Sequence, residues 1–117
     1  WKIKMPLRLD NDGGLLKVTL VRGRGLSLNK CDQNLTIRYR TGGESIKPVG
    51  HKITKKLKNL FQENHILPWV RDKIPLIYSG TELIGVADLW VHGDYIASQN
   101  EHGFLIDWQR KINIKHN

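Results

Sequence analysis

Only one stretch of this chain has the spacing of an amphipathic helix. Ile53, Leu57, Leu60 and Phe61 stand at i, i+4, i+7 and i+8, and at about 100° per residue they make one apolar stripe. Lys52, Lys55, Lys56 and Lys58 fall on the other side. The spacing predicts a helix over 53–64, ending near Asn64-His65, because Pro68 disfavours helical backbone just before it. A lone helix must bury its stripe on something else, and the rest of the chain alternates with period two. The expected class is therefore α+β: a single small domain with a mixed or mainly antiparallel sheet packed against one principal helix.

The strand signals are distributed along the whole sequence. Leu7 and Leu9, then Leu16, Val18 and Leu20, flank the turn-forming run Asp10-Asn11-Asp12-Gly13-Gly14. Residues 21–28 carry Gly23 and Gly25 and read as an irregular connection. Leu35, Ile37 and Tyr39 alternate with Thr36, Arg38 and Arg40, which aims both arginines out of the core. Pro68 to Asp72 reads as one short helical turn closed by Pro75. Leu76 to Tyr78 and Leu83 to Ala87 flank a hairpin turn at Ser79-Gly80-Thr81-Glu82, and Leu89-Trp90-Val91 continues or restarts the second strand. Phe104, Ile106 and Trp108 share one face of a strand over 103–109, and Ile112 and Ile114 read as a last short strand or tail. Trp90 and Trp108 are expected in the core.

With 117 residues and 39% hydrophobic composition, the chain has enough apolar material for one modest core. It is too short for a nucleotide-binding domain and a substrate domain together. No apolar run reaches the length of a membrane-spanning helix. The single cysteine, Cys31, excludes an internal disulfide and suits a reducing, cytoplasmic setting. An opening Trp1-Lys2-Ile3-Lys4-Met5, with neither an initiator methionine nor an apolar leader, reads as a piece of a longer protein.

No catalytic constellation stands out. The five histidines include no HExxH or close pair, one cysteine cannot build a CxxC zinc site, and no metal site is expected. Gly23-Arg24-Gly25 lacks the third glycine of a dinucleotide fingerprint, and Thr41-Gly42-Gly43-Glu44-Ser45 is one residue short of the SGGxDS loop of adenylating enzymes.

The charge carries the functional signal. The net charge is +8, and residues 1–73 hold sixteen of the nineteen Lys and Arg against six of the eleven acids. An acidic partner is implied, nucleic acid first and an anionic membrane surface a distant alternative. Lys47, Lys52, Lys55, Lys56 and Lys58 lie between Ser45 and Gln62 with no acid among them. Such a run is a solvated helix face or a phosphate-binding face, and Arg38, Arg40, Arg71 and Lys73 on either side favour phosphate. Trp69 is either a lid on the helix stripe or a partly exposed surface for base stacking. Arg71 beside it is a rigid fork aimed at RNA or, alternatively, an ion-pair partner of Asp72 or Glu63.

Three ordered blocks also carry a family resemblance. Arg38-Tyr39-Arg40-Thr41-Gly42-Gly43-Glu44, Lys55 through Glu63, and Leu67-Pro68-Trp69-Val70-Arg71-Asp72 with Pro75-Leu76-Ile77 closely resemble the C-terminal domain of bacterial tRNA(Ile)-lysidine synthetases. The likeness is strong over 35–91 and loose on both flanks. It implies a tRNA-recognition module, related in fold to a domain of the phenylalanyl-tRNA synthetase β chain. Its parent would be an ATP- and Mg-using ligase that attaches lysine to the wobble cytidine of tRNA(Ile).

The implied partners are the acceptor-stem side of that tRNA and the N-terminal catalytic domain of the same polypeptide. No catalytic residue and no cofactor are expected in this piece. Arg38, Arg40, Lys55, Lys56, Lys58 and Arg71 fall in the signature blocks, and Lys47 and Lys52 in the variable link between them. Leu67 departs from the pattern, since many relatives carry a second proline there. Residues 1–34 are expected to be strands and a connection leading into a domain over 35–117. The rival reading is an interdomain or dimerisation module without RNA contact, which exposed apolar residues would favour.

Overall fold

The computed structural model describes residues 7–8, 14–31, 35–110 and 113–115. Ten strands and one α-helix account for its regular backbone: β1 (Leu7–Arg8), β2 (Leu15–Arg22), β3 (Leu26–Ser27), β4 (Leu35–Arg38), β5 (Ser45–Ile46), β6 (Lys55–Lys56), α1 (Leu57–Glu63), β7 (Leu76–Ser79), β8 (Glu82–Val86), β9 (Trp90–Val91) and β10 (His102–Gln109). Two 3-10 turns, Pro68–Lys73 and Gly93–Tyr95, complete it. Every strand pairing is antiparallel. The expected single sheet is resolved into two four-stranded sheets, in the orders β1-β2-β10-β3 and β4-β7-β8-β9, with a separate β5-β6 ribbon.

The second sheet is the middle layer. Ile77 and Ile84 face the first sheet, where they meet Leu26, Phe104 and Cys31. Leu76, Leu83 and Val86 belong to the larger core with Leu57, Leu60 and Phe61 of α1, Ile46, Ile66, Val70 and Ile74. Burial of β7 and β8 on both faces explains their near-continuous apolar runs. The hairpin between them turns at Gly80 and Thr81, and Gly80 has the φ of +61° that a tight two-residue turn requires at its first position. β9 restarts after Ala87 to Leu89 and pairs back on β8.

In the first sheet, β10 pairs with β2 along its whole length, from His102 opposite Arg22 to Gln109 opposite Leu15. Its other edge takes β3. Gly23 and Gly25 break the chain between β2 and β3 as expected, but Leu26 and Ser27 return to the sheet instead of remaining irregular. Gly25, at φ +73°, lies so close to β10 that a Cβ would stand 2.4 Å from the Phe104 carbonyl oxygen. The run Asp10 to Gly13, Trp1 to Met5 and Ile112 lie outside the described residues.

The helix is shorter than its periodicity predicts. Lys55 and Lys56 are extended and pair with Ile46 and Ser45, and the Leu57 amide donates to the Glu44 carbonyl at 2.9 Å. Helical backbone therefore starts at Leu57. Ile53, expected in the core, is 69% exposed, because it precedes the ribbon strand and shares no helical turn with Leu57. Leu57, Leu60 and Phe61 are buried as expected. The end at Asn64-His65 also matches: the His65 amide donates to the Gln62 carbonyl, the Ile66 amide donates to the Phe61 carbonyl, and His65 takes a left-handed φ of +58°. That pair of reversed bonds is a Schellman stop with Ile66 packed beneath it.

Candidate nucleic-acid interface

The cations found in the sequence lie on β4 and the loop after it, on and around the β5–β6 ribbon, on α1 and in the 3-10 turn at Pro68–Lys73. Arg38 ends edge strand β4, with its guanidinium carbon 4.9 Å from the centre of the Tyr78 ring on β7. The Tyr78 hydroxyl is held above its ordinary pKa by burial first and by the nearby Glu44 carboxylate second, against the opposing pull of Arg38. The loop after β4 leads from these groups to the ribbon. There Glu44 folds back and accepts hydrogen bonds from the Thr41 amide at 2.8 Å, the Thr41 hydroxyl at 3.1 Å and the Gly42 amide at 3.1 Å. Burial pushes the Glu44 carboxyl up, but these bonds together outweigh it and hold the group below its ordinary value.

The eight candidate contact residues divide into two kinds. Four are engaged inside the domain. Lys47 bonds Asp94 at 3.1 Å, Lys55 bonds Glu63 at 2.6 Å and Arg40 reaches Asp72 at 3.4 Å. Arg71 donates from Nε and Nη2 to the Ile66 carbonyl, at 3.1 and 2.9 Å, and lies 5.9 Å from the Phe61 ring centre. Its anticipated alternative partners, Asp72 and Glu63, thus belong to Arg40 and Lys55. The other four face outward: Arg38 rests on Tyr78, while Lys52, Lys56 and Lys58 are exposed and their side chains make no ion pair or hydrogen bond with any described residue.

The ribbon carries Lys52 and Lys56 on a fixed base. Pro48 bridges to His92, the Val49 amide donates to the Val91 carbonyl, and Ile46 is fully buried. Lys58 opens the exposed side of α1. Trp69 is 68% exposed, so it does not cover the helix. Trp90 does that instead, tilted against Phe61 with ring centres 5.9 Å apart. Sequence reasoning overlooked Tyr78 as the support of Arg38; its only signal was an aromatic on the strand that pairs with β4.

The described residues hold no cluster of metal ligands. No three His, Cys, Asp or Glu side chains converge, and no buried side-chain polar atom lacks a partner. The amides at Thr41 and Gly42, which a phosphate would need, are taken by Glu44. Cys31 is buried and its thiol is pushed up to about 11, so little reactive thiolate forms. No described helix is long and apolar enough to cross a membrane.

Comparison with known proteins agrees with this architecture. The family model described as TilS substrate C-terminal domain matches residues 35–108. The tRNA(Ile)-lysidine synthase of Coxiella burnetii is 36% identical over 109 residues, covering 93% of this chain and 24% of that protein. The Legionella pneumophila (strain Paris) tRNA(Ile)-lysidine synthase is 42% identical over 81 residues, 68% of this chain and 18% of its own length. The chain spans about a quarter of the length of the first of these relatives. A solved structure titled "Crystal structure of TILS C-terminal domain" superposes with a TM-score of 0.70 at 20% identity, covering 88% of each chain, and shows the same fold. A fold of two small antiparallel sheets closed by a short helix, with a family match over most of its length, makes this chain a member of the TilS substrate C-terminal domain family of bacterial tRNA(Ile)-lysidine synthases.

Proposed function

We propose that this domain is a non-catalytic tRNA-binding element of an ATP-dependent ligase that forms lysidine on tRNA(Ile), and that it contacts the acceptor-stem side of the RNA. The observation that carries the reading is the outward set Arg38, Lys52, Lys56 and Lys58, none of which has a counter-charge among the described residues. Like charges held together cost free energy that a phosphate backbone offsets while releasing counterions. A-form RNA hides its base edges in a deep, narrow major groove, so such a face reads phosphates, 2′-hydroxyls and shape. On this reading ATP and Mg act in the rest of the parent protein, in the cytoplasm, and Arg40, Lys47, Lys55 and Arg71 shape the surface through their internal bonds.

The test is a titration of the chain with whole tRNA and with an acceptor-stem minihelix over a range of salt. Replacing Lys52, Lys56 and Lys58 by Gln is expected to flatten the slope of log affinity against log salt by about 2 to 3 units for cognate and non-cognate tRNA alike. Replacing Lys47 and Lys55 moves it less, because Asp94 and Glu63 already neutralise them. Unchanged affinity and slope in a folded triple variant would place the RNA elsewhere.

A second reading, an interdomain or dimerisation module, is favoured by Val49 and Ile53. These are 55% and 69% exposed beside Lys52. Loss of self-association, or of docking to the rest of the synthase, on changing Val49 and Ile53 to Ser would support it.

A further inference from the structure

Resting on the RNA reading above, we infer that Trp69 is a stacking platform for an unpaired nucleotide, so that this face receives RNA where a helix gives way to a single strand. The indole is 68% exposed, an unusual position for the largest apolar side chain, yet the backbone beneath it is firmly held. Pro68 opens the 3-10 turn with its φ already set. The Leu67 amide donates to the Ile114 carbonyl at 2.7 Å, Val70 and Ile74 are buried, and Arg71 ties the turn back to the Ile66 carbonyl through two bonds. Fixing this backbone in advance removes an ordering cost that a mobile loop would incur on binding.

Three residues per turn give each side of this element a different task. Val70 and Lys73 share one side, and Val70 is buried. Pro68 and Arg71 share another, where Arg71 turns back onto Ile66 and Phe61. Trp69 and Asp72 share the third, and Asp72 is bonded to Arg40 at 3.4 Å. The indole therefore stands on the same side as the Arg40–Asp72 pair, with the cations Arg71 and Lys73 on the same short element.

A largely exposed indole with the exposed Lys73 on the same short element suits a nucleotide, which brings a ring to stack and a phosphate to pair. Inside an RNA duplex both faces of every base are already stacked. A base free to lie on Trp69 then comes from the end of a helix or from an unpaired position, and comparing a blunt stem with a tailed one separates the two.

The test uses the 117-residue chain and two RNAs that share one hairpin stem, one blunt and one with a short single-stranded tail. Trp69→Ala is expected to weaken binding to the tailed RNA by about fivefold or more and to the blunt one by less than about twofold, with the salt slope unchanged. Trp69→Phe should restore most of the affinity, and tailed RNA alone should quench the fluorescence contributed by Trp69. Equal affinities of wild type and Trp69→Ala for the tailed RNA, or equal losses on both RNAs, would overturn the inference while the lysine reading stands on its salt slope. No binding of either RNA by wild type would overturn both. A Trp69→Ala variant that binds RNA normally but no longer docks to the rest of the synthase would assign the indole to a protein contact instead.

Discussion

Single side chains show how far charge can be read from composition. The excess of Lys and Arg between Arg38 and Lys73 is plain in the sequence, but which of them remain outward is decided by acids far along the chain. Asp94 takes Lys47 and Asp72 takes Arg40, pairings that only the folded backbone brings about. Glu101 is the most perturbed described carboxylate. It accepts hydrogen bonds from the Ser98 amide at 2.7 Å and the Ser27 hydroxyl at 2.9 Å, with Lys30 at 3.5 Å. The Ser98 bonds first and the Ser27 hydroxyl next bring its carboxyl down to about 2 from an ordinary 4.5. A lowered folded-state pKa contributes stability above the unfolded value, and that contribution is lost as pH falls from 4.5 towards 2. Glu101→Gln should accordingly lower the denaturant midpoint at pH 7, and the gap from wild type should narrow markedly by about pH 2.5. A gap independent of pH would show that the carboxylate's charge is not what holds the Ser98 turn to Ser27.

At the scale of elements, α1 and the ribbon before it separate what local pattern can and cannot announce. Phe61→Ala should destabilise the domain by about 3 to 5 kcal/mol, because a fully buried aromatic leaves a cavity in the core shared with Trp90. Ile53→Ala should change stability by less than about 0.5 kcal/mol, since that side chain already meets water. Chemical denaturation of the two variants checks both, and equal losses would mean that the helix starts earlier than Leu57. Burial of Leu57, Leu60 and Phe61 and the stop near Asn64-His65 were legible because they are local. The late start was not, because Ser45 and Ile46 recruit Lys56 and Lys55 into a ladder that competes with helix, and helical spacing at Ile53 is then coincidental. β4 as far as Arg38, the β7–β8 hairpin and the burial of Phe104 and Trp108 were legible because their alternation agrees with their tertiary setting, whereas Tyr39, expected on the core face, lies past the end of the strand and is exposed. Trp69 could not be assigned from sequence, since a proline-led turn can present its second residue inward or outward.

On the scale of the whole molecule, the decisive feature is that β10 lies between β2 and β3. The family match begins at residue 35 and so leaves out both flanking strands, while it includes nearly all of β10. A chain limited to residues 35–117 would expose both edges of β10 and strip Leu16 and Leu26 from the core. We expect such a piece to lose its cooperative thermal transition; a sharp transition near that of the longer chain would show that the second sheet and α1 are self-sufficient. The same arrangement governs birth on the ribosome. β2 and β3 are synthesised early, and their common partner emerges only after the whole of the second sheet and α1. Until His102 to Gln109 leave the exit tunnel, the first sheet has no centre, and Leu26 waits without Phe104. Closure over so long a loop is slow, and unpaired strand edges are what a neighbouring nascent chain can capture. The last strand made is the one that commits the domain to its fold.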